Sequence, residues 1–310
     1  MIYRPLGHTG MHVSILGFGA ATLGNLYGDI DVRESEEAVC AAIDGGINFF
    51  DVSPYYGKTL AEERLGAALA GRRDKVVLAT KCGRYGLDEF DFSAKRIHKS
   101  IDESLQRLRT DYIDLFQAHD VEFTHADQII NETIPALREL QKSGKARAIG
   151  ITGYSIRNLR QIAEAVPVDT VLSYCRYNLL VRDMDAVLPP AAQALGFGLI
   201  NASPLHMSIL TERGAPPWHP APQKIKDAGK AIVDLCRAHG TSAAEVGLRF
   251  CLDNTSVAST FAGMARVQEV QQNIALLERH NDPELLAKVE AILEPVRNTV
   301  WPSGLVENYG

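Results

Sequence analysis

The sequence predicts an α/β fold, a (β/α)8 TIM barrel, on three observations. Eight short apolar runs punctuate its 310 residues, each near-continuously hydrophobic as in a strand covered on both faces. Stretches of helical period lie between them. Several runs stop abruptly at a reactive polar residue, and the C-terminal ends of the strands are where barrel enzymes place their chemistry.

Taken in order, a hairpin over Tyr3–Val13, with Gly10 in its turn, precedes the barrel. Strands are expected at Ile15–Phe18, Ile47–Phe50, Val76–Thr80, Ile113–Phe116, Ala146–Ile151, Val168–Leu172, Gly198–Asn201 and Ser256–Thr260. Arg33–Ala42 reads as a helix with acidic residues in its first turn and a stop near Gly45-Gly46. Phe92–Leu108 carries Ile97, Ile101, Leu105 and Leu108 at three- and four-residue spacings, His125–Ser143 stops at Gly144, and Ser155–Ala165 opens on a capping serine. Later helices are expected over Met184–Leu195, Gln223–His239, Ser242–Leu252, Arg266–Glu278 and Pro283–Glu294. A doubly wound open sheet would need a phosphate fingerprint after the first strand. Gly17-Phe-Gly19-Ala-Ala-Thr22 puts threonine where the third glycine belongs, so that alternative is rejected. The least regular stretch, Pro204–Gln223, reads as a functional loop over one end of the barrel. One domain over residues 1–310 is expected, since α/β barrels of ~250 residues and more count as one.

Composition excludes several classes. A hydrophobic content of 46% argues against disorder, and no apolar run reaches the ~18 residues that span a bilayer. With 32 Lys+Arg against 38 Asp+Glu, a net charge of −6 and no dense basic cluster, no nucleic-acid partner is expected, and no membrane partner either. The N-terminus lacks the apolar core of a signal peptide. Cys40, Cys82, Cys175, Cys236 and Cys251 are odd in number and scattered, which suits reduced thiols in the cytoplasm. The nine histidines contain no His-x3-His, so no metal site is expected. The partner that remains is a small-molecule sugar or aldehyde substrate, with the chain either a monomer or a small homo-oligomer.

The second strand runs into Asp51, the third into Lys81, the fourth into His119 and the fifth into Thr152, and the loop after Asp51 adds Tyr55 and Tyr56. Singly, these read as a turn aspartate, a solvated lysine, a core histidine and packed rings; together at one barrel mouth they read as chemistry. A tyrosine hydroxyl, with an ordinary pKa of about 10, is too weak an acid to serve as a neutral-pH base unaided. An ammonium at ~4 Å favours the phenolate by ~4 kcal/mol at an effective dielectric near 20. Asp51 would keep Lys81 charged and oriented, and His119 could donate to the reacting oxygen. Such a set moves a proton on an alcohol or carbonyl while a cofactor moves a hydride.

These residues resemble the aldo-keto reductase superfamily over nearly the whole chain. The carriers are Gly46-Ile-Asn-Phe-Phe-Asp51-x4-Tyr56-Gly57, Lys81 after Val-Val-Leu-Ala-Thr, Leu108-x2-Asp111-Tyr-Ile-Asp114-Leu-x3-His119, and Gly144-Lys-Ala-Arg-Ala-Ile-Gly150. The resemblance implies an NAD(P)-dependent oxidoreductase with the tetrad Asp51, Tyr56, Lys81 and His119, Tyr56 passing the proton. Where many members have Ser-Asn for the nicotinamide carboxamide, this chain has Thr152-Gly153. Tyr174 stands where Gln is usual, and the Ala202-Ser203-Pro204-Leu205 segment puts alanine where an aromatic often stacks. With Ser173-Tyr-Cys-Arg-Tyr177 and Trp301-Pro-Ser-Gly304, these departures are similar to the L-galactose dehydrogenase and bacterial aldose 1-dehydrogenase branch. That branch implies oxidation of an L-galactose- or L-fucose-like aldose to its lactone. An NADPH-dependent aldehyde or carbonyl reductase is the alternative, followed by an activity like that of pyridoxal 4-dehydrogenase. A non-catalytic ion-channel subunit is the reading from another class, and the intact tetrad speaks against it.

The resemblance further implies cofactor contacts from Gly19, Ala20 and Thr22 after the first strand, and from Asp51, Thr152, Gly153, Tyr174, Ser203 and Leu205. Gly263, Arg266, Glu269 and Asn273 resemble the adenosine-phosphate segment. A carboxylate at Glu269, four before Asn273, would repel a 2′-phosphate and favours NAD; Arg266 is the counterweight that keeps NADP in play. On the substrate side, Tyr56 and His119 are joined by His206 and Trp301, each weighed against simple packing.

Overall fold

The structure, a computed structural model, describes residues 1–309. Strands β1 (Tyr3–Pro5) and β2 (His12–Ser14) pair antiparallel as the expected hairpin. The next eight strands, β3 (Leu16–Gly19), β4 (Phe49–Asp51), β5 (Val77–Cys82), β6 (Ile113–Ala118), β7 (Ala146–Gly153), β8 (Thr170–Tyr174), β9 (Gly198–Ala202) and β10 (Ser259–Gly263), are parallel neighbours in chain order, and β10 closes on β3. Every expected strand is present, but each ends one to three residues later than its apolar run. Backbone pairing does not depend on side-chain polarity, so the ladder continues through Asp51, Lys81, Thr152 and Tyr174.

Alternation along the strands separates two cores. Phe49, Ala79, Leu115, Ala148, Leu172, Ile200 and Phe261 fill the barrel, joined by Leu6 and Val13 from the hairpin segment. Phe18, Phe50, Phe116 and Ile149 face outward against helix residues such as Ile97, Ile101, Leu137 and Ile162.

The helices form as their caps dictate. Ser93, Ser155 and Ser242 each accept from the backbone three residues on, at the starts of Ala94–Leu108, Ile156–Ala165 and Ala243–Leu252. Three expectations need correction. A helix over Leu60–Ala68 was not foreseen: it is short, and Gly66 interrupts its apolar stripe. The single helix expected over His125–Ser143 is instead Ala126–Gln128, a π turn over Ile129–Thr133, and Ile134–Lys142. Pro135 supplies no amide there, which removes one i→i−4 bond and suits a widened turn. The expected helix at Arg266–Glu278 is regular only over Val267–Ala275, then tightens to a 3-10 turn at Leu276–Glu278.

Two additional helices, Gln223–Ala238 and Pro283–Leu293, pack on one another around a separate cluster that includes Ile225, Ile232, Leu285, Val289 and Trp301. Among the described residues no helix is long and apolar enough to cross a membrane.

Candidate active site

Register brings the reactive side chains together. Asp51 pairs with Ala79, so Lys81, two residues on, projects from the same inner face of the neighbouring strand; Lys81 in turn pairs with Gln117. The Lys81 ammonium donates to Asp51 Oδ1 at 2.5 Å, to the Val52 carbonyl at 2.9 Å and to Tyr56 Oη at 3.2 Å. Its three hydrogens therefore have three acceptors. Gln117 Nε2 donates to Asp51 Oδ2 at 3.2 Å and steadies the carboxylate from the other side. Tyr56 is placed by the turn that follows it. Gly57 has φ 64°, and a Cβ there would stand 2.3 Å from the Gly24 carbonyl oxygen.

His119 lies just beyond β6, its amide donating to the Cys82 carbonyl at 2.8 Å. Its ring meets those of Tyr55 and Tyr56 edge-on, with centroids 6.0 and 5.8 Å away. Nδ1 is 3.0 Å from Ser53 Oγ, which itself accepts the Tyr55 amide at 3.1 Å. A neutral imidazole that accepts the Ser53 proton at Nδ1 carries its own on Nε2. Burial first, then the Lys81 and Arg84 charges, hold His119 well below the ordinary histidine value, so the ring is neutral. A neutral Nε2–H can donate to a substrate oxygen without adding charge.

Tyr56 departs from expectation. Its hydroxyl is pushed well above the ordinary tyrosine value, by burial first and then by the Asp51 and Asp120 carboxylates, with Arg84 opposing. Lys81 does touch the hydroxyl, but burial and the Asp51 charge outweigh it. The resting form is the protonated phenol. Because Oη accepts from Lys81, its own proton is free to point elsewhere.

The residues expected to hold a cofactor ring this mouth. Thr22 Oγ1 donates to the Met264 carbonyl at 2.8 Å, tying the segment after the first barrel strand, where Gly19 and Ala20 lie, to the one after the last, beside Gly263. Thr152 is buried and Tyr174 half-buried at the ends of β7 and β8. A side chain at Gly153 would meet Glu122 Oε2 at 2.4 Å, so the usual asparagine has no room there. After β9 the chain turns left-handed at Ser203 and again at His206, Met207 and Ser208, with φ 58°, 51°, 48° and 83°. Among the described residues, the amides of Leu205, Met207 and Ser208 donate to no protein acceptor. Backbone N–H groups without a protein acceptor at such a turn are donors that a bound anion could take. At the far end, Glu269 Oε2 accepts the Ala265 and Arg266 amides at 2.7 and 3.2 Å, capping its own helix, while Arg266 pairs with Glu34 at 3.6 Å. Asn273 is half-buried on that helix.

On the substrate side, His206 and Trp301 lie among packed rings. The His206 side chain is fully buried, with Nδ1 3.1 Å from Asn178 Nδ2 and the ring stacked on His219. Trp301 stacks on Tyr154 at 4.4 Å and presents its edge to both histidines, closing the C-terminal segment over them. Beyond it, Leu305 donates to the Glu122 carbonyl at 2.9 Å and Ser303 to Glu122 Oε1 at 3.2 Å. Gly304, at φ 82°, passes so close that a Cβ would stand 2.1 Å from that carbonyl oxygen. Ser53, Gln117, Arg84 and Asp120 were not foreseen. Gln117 shares the inner face with His119 at a two-residue spacing, a signal present in the sequence.

Residues 15–294 match the Aldo/keto reductase family. The chain is 46% identical to an L-galactose dehydrogenase of Arabidopsis thaliana over 98% of each chain, and 30% identical to a D-threo-aldose 1-dehydrogenase of Pseudomonas sp over 85% of this chain and 89% of the other. Among solved structures it is similar to an aldo-keto reductase from Bacillus halodurans in its holo form, with a TM-score of 0.80 and 27% identity over 98% of this chain and 99% of that one. The chain is an oxidoreductase and belongs to the aldo/keto reductase family.

Proposed function

We propose that the protein is an aldose 1-dehydrogenase that oxidises an L-galactose- or L-fucose-like sugar at C1 to its lactone with NAD. The observation that carries the chemistry is the Lys81 ammonium bridging Asp51 and Tyr56 at the barrel mouth. The sugar is supported by the 46% identity to L-galactose dehydrogenase.

Asp51, Tyr56, Lys81 and His119 are the proposed catalytic residues. His119 Nε2–H holds the anomeric oxygen, and Tyr56, once ionised, takes the proton from that oxygen. A bound nicotinamide supplies the acceptor for the C1 hydride, so the products are lactone, reduced cofactor and one proton. Lys81 stabilises the phenolate while it exists. Since burial and two carboxylates hold Tyr56 well above its ordinary value, oxidation should quicken toward alkaline pH.

The left-handed turn around Ser203 and Leu205 would hold the diphosphate. Gly19, Ala20, Thr22, Thr152, Gly153 and Tyr174 would surround the nicotinamide half, and Gly263, Arg266, Glu269 and Asn273 the adenosine half. NAD is favoured over NADP because Arg266 already faces Glu34, and Glu269 adds a second carboxylate beside it. Four buried, separate thiols suit a reducing compartment, the cytoplasm.

The protonated resting state of Tyr56 favours a second reading, carbonyl reduction with NADPH, since a phenol can donate at once. Absorbance at 340 nm with a panel of aldoses and aldehydes, NAD and NADP(H) side by side, separates the two. Aldose-dependent NAD reduction is expected; brisk NADPH-dependent aldehyde reduction with no aldose oxidation would overturn the first reading.

A further inference from the structure

Asp120 follows His119 directly, and its backbone is left-handed at φ 56° although it is not glycine. That conformation costs free energy for any residue with a Cβ, so the surroundings must hold it there. Two contacts do. The Asp120 amide donates to Thr152 Oγ1 at 3.2 Å, and Arg84 Nη1 donates to Asp120 Oδ2 at 2.5 Å. Arg84 is itself fixed, its guanidinium lying over the Tyr55 ring at 4.1 Å and beside Phe90 and Phe123, which stack on each other. Neither side chain belongs to the tetrad, although both charges act on Tyr56.

This arrangement leaves one carboxylate oxygen free at a defined place. Asp120 Oδ1 lies 3.8 Å from His119 Nε2, too far for a hydrogen bond, and no hydrogen bond reaches Oδ1 among the described residues. Nε2 is the ring nitrogen that Ser53 leaves available for the reacting oxygen. On a sugar ring, the hydroxyl of the adjacent carbon sits about one hydrogen-bond length from that oxygen. A substrate oxygen bound at Nε2 therefore brings its neighbour within reach of Oδ1. The guanidinium beside it offers further N–H donors, so the pair presents an acceptor and donors to a vicinal diol.

We propose that Asp120, held by Arg84, recognises the hydroxyl on the carbon next to the reacting one, and so selects 2-hydroxy sugars over substrates that lack it. This inference rests on the aldose dehydrogenase reading. A substrate without the hydroxyl leaves a buried carboxylate oxygen unpaired against it, and such mismatches discriminate more strongly than the hydrogen bond itself attracts.

The test compares L-galactose with 2-deoxy-L-galactose as substrates, with NAD, for the wild type, Asp120→Asn and the double variant Asp120→Ala/Arg84→Met. The double variant removes both charges, so it leaves no buried ion alone; the asparagine is the milder change should the double variant fail to fold. The wild type is expected to prefer L-galactose by about 100-fold in kcat/KM. Either variant should bring that ratio to within about 10-fold; the charge lost beside Tyr56 acts on both sugars alike, so the extra loss confined to L-galactose reports the hydroxyl contact. A merely structural role would lower both activities together. An unchanged ratio in a folded variant, or a wild type that treats the two sugars alike, overturns the inference while the dehydrogenase reading stands. A wild type that oxidises neither sugar overturns the reading, and the inference with it.

Discussion

Each hydrogen of the Lys81 ammonium has its own acceptor, and the one that matters most for the pH profile is Asp51. From residue types alone, Lys81 was expected to lower Tyr56. The geometry sets Asp51 against the Lys81 ammonium, and burial first, then the Asp51 and Asp120 charges, raise the phenol. The sign of two substitutions follows. Lys81→Met leaves Asp51 uncompensated, so turnover should fall about 1000-fold and the alkaline limb should move to higher pH. Asp51→Asn leaves Lys81 uncompensated, and the limb should move to lower pH even as turnover drops. Profiles of kcat/KM against pH for both variants check this, and shifts in the same direction would contradict it. Asp51, Lys81 and His119 were legible because each follows an apolar run, and Tyr56 because it lies in the loop after one. Ser53 and Asp120 were not, since what they do depends on distances of 3.0 and 3.8 Å to opposite nitrogens of one imidazole, which spacing does not encode.

At the scale of elements, the strands were legible from their apolar runs but their ends were not, because ladder pairing runs on through polar residues. The Leu60–Ala68 helix was missed for want of a clean stripe, although Ala61, Leu65 and Ala68 are buried. The C-terminal segment was read as a substrate-side loop carrying Trp301; its docking on Glu122, which joins parts of the chain some 180 residues apart, was not. Glu122 is pushed up to about 8, by burial first and then by the Asp120 charge. A carboxyl whose folded value exceeds its unfolded one of about 4.3 favours the fold below that range and loses the benefit as pH rises through the folded value. Glu122→Gln cannot titrate, so its Tm relative to wild type should climb between about pH 5 and 8 and level off above, by roughly 5 °C. A pH-independent difference in thermal melts would show that Glu122 does not ionise in that window.

For the whole molecule, the closed barrel was legible in the alternation of strand and helix, and the mouth was legible as a place. How the mouth is finished was not. Thr22 reaches Met264 across 242 residues, Arg213 reaches the Tyr27 carbonyl, and Arg266 turns to Glu34, all contacts made only once the barrel has closed. The same closure brings the Tyr56 hydroxyl, the His119 imidazole and the left-handed turn after β9 around one opening. Such an opening suits removal of a hydride from a carbon whose oxygen sits on His119 and Tyr56. L-Galactose carrying deuterium at C1 tests this most directly, oxidised with NAD and followed by mass spectrometry of both products. The expected result is deuterium in the reduced nicotinamide, none in the lactone, and an about 1000-fold slower reaction with Tyr56→Phe. Deuterium retained in the sugar product, or a Tyr56→Phe variant as fast as wild type, would contradict it.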